Sequence, residues 1–96
     1  SFGMFAGDDI FPQRVILRVY GKQRYYFQDL PLHNSQKEIG RGENYVDYEY
    51  YIRPTPDFCG QILSLANQVK VLHPISLADK IRNMALDTLE MYDEED

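Results

Sequence analysis

From Arg14 to Tyr20 the chain alternates, with Val15, Leu17 and Val19 on one side and Arg14, Ile16, Arg18 and Tyr20 on the other. A period of two over this length predicts a half-buried strand, and Gly21 ends it. Tyr45 to Arg53 repeats the pattern more clearly. Val46, Tyr48, Tyr50 and Ile52 share one face, and Tyr45, Asp47, Glu49, Tyr51 and Arg53 share the other. Gln36 to Arg41 precedes it across Gly42-Glu43-Asn44, turn chemistry that suits a hairpin. Val69 to His73 reads as a short fourth strand closed by Pro74.

Helical spacing fills the gaps between strands. Lys22 to Asp29 reads as a short helix that Pro31 stops, because the residue before proline is pushed out of helical geometry. Pro54-Thr-Pro-Asp57 is a start signal: Thr55 caps, Pro56 takes the first helical position and Asp57 faces the positive dipole end. Phe58, Cys59, Ile62, Leu63, Leu65 and Ala66 then form a broad apolar stripe, and Asn67-Gln68 ends it, asparagine tolerating the left-handed conformation. Ser76 is expected to cap a last helix from Leu77 to about Tyr92, with Leu77, Ile81, Met84, Ala85, Thr88 and Tyr92 on one face.

The order strand, helix, strand, strand, helix, strand, helix predicts an α+β, ferredoxin-like βαββαβ sandwich: a four-stranded antiparallel sheet, two helices on one face and an added C-terminal helix. The first and third strands are then central. Their polar sides make an open face bearing Arg14, Arg18, Tyr20, Tyr51 and Arg53, which needs a partner or a third layer.

Composition narrows the function. The 96 residues are 44% hydrophobic and 26% charged, which suits one globular domain and not a disordered chain. The single Cys59 rules out an internal disulfide, and with no Cys/His cluster no zinc site is expected; a reducing cytoplasm fits best. On its helix it reads as core packing rather than a redox thiol. No run approaches the roughly 20 apolar residues of a membrane span, so no membrane contact is expected. The net charge of −5 is mostly the tail Asp93-Glu-Glu-Asp96. Residues 14–53 carry seven basic against five acidic residues, too weak a balance for a reader of duplex DNA.

Asp47 and Glu49 share a strand face, but no positioned nucleophile, metal set or glycine-rich phosphate loop accompanies them, so no enzyme, no catalytic residue and no cofactor are expected. On the open face, tyrosine and arginine suit either stacked bases with phosphates or a protein interface. The two acids would repel phosphate yet pair across a twofold axis, which favours the interface. His33, Ser35 and Gln36 are loop candidates for a phosphate or a partner backbone, although short polar side chains also order loops through their own backbone. Lys37 and Arg41, with Lys22 and Arg24, form a looser basic set that could face an effector.

Five segments carry a family likeness: Val15-Ile-Leu-Arg-Val-Tyr-Gly21, Leu30-Pro-Leu-His-Asn-Ser-Gln-Lys-Glu-Ile39, Pro54-Thr-Pro-Asp-Phe58, Val69-Lys-Val-Leu-His-Pro74 and Leu77. Together they resemble the C-terminal extension, or WCX domain, of WYL-domain transcriptional regulators, over about Pro12 to Tyr92. Ser1-Phe-Gly-Met-Phe5 looks like the end of a preceding WYL domain. The resemblance implies a linker over 1–13, the WCX-like domain over 14–92 and an acidic tail over 93–96. It implies a dimerisation and regulatory module of a bacterial transcription factor, whose DNA contacts come from an upstream helix-turn-helix. Its expected partners are a second copy and the WYL and helix-turn-helix domains of the full-length chain. The alternative is an effector-binding module for single-stranded nucleic acid or a nucleotide. The family's second helix commonly ends in glycine, where Asn67 and Gln68 stand here, and the WYL motif cannot be carried over because the chain has no tryptophan.

Overall fold

The computed structural model describes residues 11–94. The expectations for the segment before Phe11 and for the last two residues of the tail lie outside them. Four strands, β1 (Gln13–Tyr20), β2 (Lys37–Arg41), β3 (Tyr45–Ile52) and β4 (Val69–His73), form one sheet in the order β2-β3-β1-β4. All neighbours are antiparallel. Helices α1 (Gln23–Asp29), α2 (Pro56–Ser64) and α3 (Ile75–Asp93) complete an α+β fold consistent with the ferredoxin-like arrangement.

Alternation decides which side of the sheet is covered. Val15, Leu17 and Val19 of β1 and Tyr50 of β3 are wholly buried, Val46 and Tyr48 of β3 nearly so, and they meet Phe27 of α1, Phe58, Cys59 and Ile62 of α2 and Leu77 of α3. Each such aliphatic side chain contributes roughly 1.5–3 kcal/mol of burial. The Phe27 ring stacks on Tyr48 with centroids 5.9 Å apart, which pins the short α1 to the sheet.

Local signals set the boundaries. Thr55 adopts extended geometry and accepts from the Phe58 amide at 3.2 Å, a cap contributing about 1 kcal/mol. Helix α1 stops at Asp29, and Leu30, before Pro31, is no longer helical. At the hairpin the Gly42 amide donates to the Tyr45 carbonyl at 2.9 Å, and a Cβ at Gly42 would run into the Tyr45 ring.

Two termini differ from the sequence expectation. Pro74, in extended geometry, is the cap of α3, and its carbonyl accepts from Leu77 and Ala78, each at 3.1 Å. Ser76 therefore lies inside the first turn and caps nothing. After α2 it is Ala66, with φ +53, that takes the left-handed position, followed by a 3-10 turn over Ala66–Gln68. Ala66 directly follows Leu65, the C-cap, which is where a chain leaving a helix reverses, so Asn67 comes one residue too late.

Helix α3 outruns the core. Leu77 is buried and Ala78, Ile81 and Met84 pack against the core, but Ala85, Thr88, Leu89 and Tyr92 are exposed. The expected stripe continues in sequence for two turns beyond the surface it packs on.

Candidate interface on the open sheet face

The open face is built by the register of β1 against β3. Arg14 lies opposite Tyr51, Ile16 opposite Glu49, Arg18 opposite Asp47 and Tyr20 opposite Tyr45. Directly opposed residues on antiparallel strands share a face and touch, so this register places Arg14, Arg18, Tyr20 and Tyr51 on one face, Arg14 beside Tyr51 at one end and Tyr20 beside Tyr45 at the other.

It also gives the two carboxylates partners within the chain. Arg18 donates from Nε and Nη2 to the two oxygens of Asp47 at 2.8 and 3.0 Å, a bidentate pair, and its guanidinium lies 3.9 Å from the centroid of the Tyr45 ring. The hydrogen bond that Arg18 donates to Asp47 holds its guanidinium charged, above the ordinary arginine range, against the cost of desolvation. Arg14 donates to Glu49 at 2.6 Å. Tyr20 meets the edge of Tyr45 at 6.5 Å. The expectation that Asp47 and Glu49 await cations across a twofold axis is thus replaced by a ladder closed inside the sheet.

Further positions on this face follow from the flanking strands. Lys37 of β2 lies opposite Glu49, and Lys70 of β4 lies opposite Arg18. Neither is in an ion pair among the described residues. Tyr51 is 55% exposed at the end of the ladder. Arg53, just past β3, lines a groove of about 470 Å³ with Pro12, His33, Tyr51 and Asp57.

The loop candidates turn inward. Gln36 accepts at Oε1 from the Leu32 amide (3.1 Å) and the Tyr50 hydroxyl (2.6 Å), and donates from Nε2 to the Phe27 carbonyl (2.9 Å). Ser35 accepts from the Tyr51 amide at 2.9 Å and meets His33 Nδ1 at 2.7 Å. His33 Nδ1 also accepts from the Ser35 amide. These side chains weld α1, the loop and β3 together. The looser basic set does not converge: Lys37 is on the open face, whereas Arg41 is opposite Val46 on the other face and is forked onto Glu38 at 2.7 and 2.9 Å. Arg24 is bonded to the Gly21 and Glu43 carbonyls.

Sequence reasoning did not find Tyr45 as the platform for Arg18, nor Lys70 as a member of the face. Period two assigns Tyr45 to the open side, but its neighbour across the sheet depends on a pairing between strands that no hairpin joins.

Among the described residues, no helix is long and apolar enough to cross a membrane. No curated protein and no solved structure matches the chain. The family model of the WCX domain matches residues 12–89, which takes in every strand and all of α1 and α2. The chain belongs to the WCX domain family, a family of regulatory modules from the C-terminal part of WYL-type regulators.

Proposed function

We propose that this domain is a non-enzymatic dimerisation and signal-relay module of a cytoplasmic bacterial WYL-type regulator, and that the open sheet face is its protein interface. The observation that carries this reading is the closed ladder of Arg14 with Glu49 and Arg18 with Asp47. Arginines already neutralised by carboxylates are poor phosphate receivers, yet a rigid, charge-balanced surface edged with tyrosine is the kind that protein interfaces bury. The loop residues His33, Ser35 and Gln36 support the face by fixing β3, and Lys37 lies on its rim.

The second reading, an effector site for single-stranded nucleic acid or a nucleotide, rests on the groove where Arg53, His33 and Tyr51 meet. Sedimentation over a concentration series separates the two. A dimer that weakens in Tyr51→Ala with Arg14→Ala, persists in high salt and ignores a short oligonucleotide supports the interface. A monomer that shifts with oligonucleotide, and does so less as salt rises, overturns it in favour of the effector site.

A further inference from the structure

Two exposed surfaces among the described residues are opposite in character. One is the open sheet face, where Ile16 lies within the charge-balanced ladder, Tyr20 and Tyr45 close one end, Tyr51 closes the other, and the flanks carry Lys37 and Lys70. The other is the free end of α3. There Ala85, Leu89 and Tyr92 recur at i, i+4 and i+7, with Leu89 53% and Tyr92 83% exposed. Beside them Leu86, Glu90 and Asp93 form the adjoining row at the same spacing. Residues 85–96 hold six acidic side chains (Asp87, Glu90, Asp93, Glu94, Glu95 and Asp96) and no basic one. The negative end of the helix dipole adds to their charge.

The helix cannot reach its own open face. Leu77, Ile81 and Met84 fasten α3 to the covered side of the sheet, among the other helices, and α3 runs unbroken to Asp93. A second copy can supply what each surface lacks. The ten residues from Met84 to Asp93 span about 15 Å at 1.5 Å per residue. The outer strands of a four-stranded sheet lie about 14 Å apart, three spacings of about 4.8 Å, so one helix end crosses it.

We infer that the free end of α3 docks on the open sheet face of a second copy, so that a twofold pair exchanges two helix ends and each sheet gains its third layer from its partner. This rests on the dimer reading above and adds the identity of the occupant. Leu89 and Tyr92 lie on the surface made by Ile16 and the Tyr20 and Tyr45 end of the face, and Glu90 lies toward Lys70, the residue opposite Arg18 between them. Twofold symmetry makes the contact twice, which doubles the buried surface from one short helix.

The test is sedimentation velocity of the whole chain over a concentration series, with circular dichroism to confirm folding. Leu89→Ser with Tyr92→Ser, both exposed, is expected to weaken the dimer by at least about tenfold, as loss of an aromatic anchor does. Lys70→Glu and Glu90→Lys are each expected to weaken it, and the two together to restore it. Retention of full dimer affinity by the Leu89→Ser, Tyr92→Ser chain, alongside dissociation of the Tyr51→Ala, Arg14→Ala chain, overturns α3 as the occupant and leaves the sheet as the interface. A wild-type monomer at every concentration overturns both.

Discussion

The hydroxyl of Tyr50 donates to the side-chain oxygen of Gln36 at 2.6 Å, and this bond ties the centre of the core to the loop that carries the family's signature segment. Tyr50 is wholly buried, so its phenol has no access to water as a substitute partner. Gln36→Ala leaves the Tyr50 hydroxyl, the Leu32 amide and the Phe27 carbonyl without this partner. Removal of one side of a buried hydrogen bond costs about 1–3 kcal/mol, and the shared amide puts this variant in the upper part of that range. Urea denaturation is expected to show the loss as a lower midpoint at unchanged slope.

The same burial makes stability depend on alkaline pH. Desolvation, and then the neighbouring Tyr48, hold the Tyr50 phenol far above its ordinary range. In the unfolded chain it titrates near its usual value of about 10. The neutral form binds its proton more tightly when folded, so this stability is complete below about pH 10 and falls as pH rises beyond it. Tyr50→Phe is expected to flatten the decline between about pH 9 and about pH 11, read as the pH dependence of the urea midpoint.

Gly42 and Tyr45 are matched by space. A methyl group on Gly42 collides with the Tyr45 ring, and that ring cannot swing aside freely because Arg18 covers it and Tyr20 abuts its edge. Gly42→Ala is expected to destabilise by about 1–3 kcal/mol, the range for overpacking. Adding Tyr45→Ala removes the obstacle, so the double variant is expected to be more stable than the sum of the two single losses.

Ala66 bears a backbone conformation better suited to glycine. Left-handed geometry costs a residue with a Cβ about 1 kcal/mol or more. Ala66→Gly is therefore expected to raise the thermal midpoint, whereas Asn67→Gly, one position later, is expected to lower it or leave it unchanged. Calorimetry on the two variants distinguishes them.

The faces of β1 and β3 were legible because two-residue alternation is a local property, and the Thr55 cap because its signal lies within four residues. The partners of Arg14 and Arg18 were not. Those ion pairs join residues 35 and 29 positions apart, and only the register of two strands separated by a helix and a hairpin decides them. Ala66 escaped notice because residue type favours Asn67, while the position of the reversal is set by where α2 stops packing. The length of the α3 stripe was visible, but not that the core ends at Met84.

The sheet order has a consequence for synthesis. β1 is the central strand, paired with β3 on one side and β4 on the other, and both are made after it. Leaving the ribosome, Val19, Leu17 and Val15 have no strand neighbour until Val46, Tyr48 and Tyr50 have emerged, and the second edge of β1 stays open until His73 has followed. At about 5–20 residues per second that interval is several seconds. Until β3 arrives the nascent chain presents one strand with an apolar side and two unpaired edges, and from then until β4 arrives one edge still open to unwanted pairing.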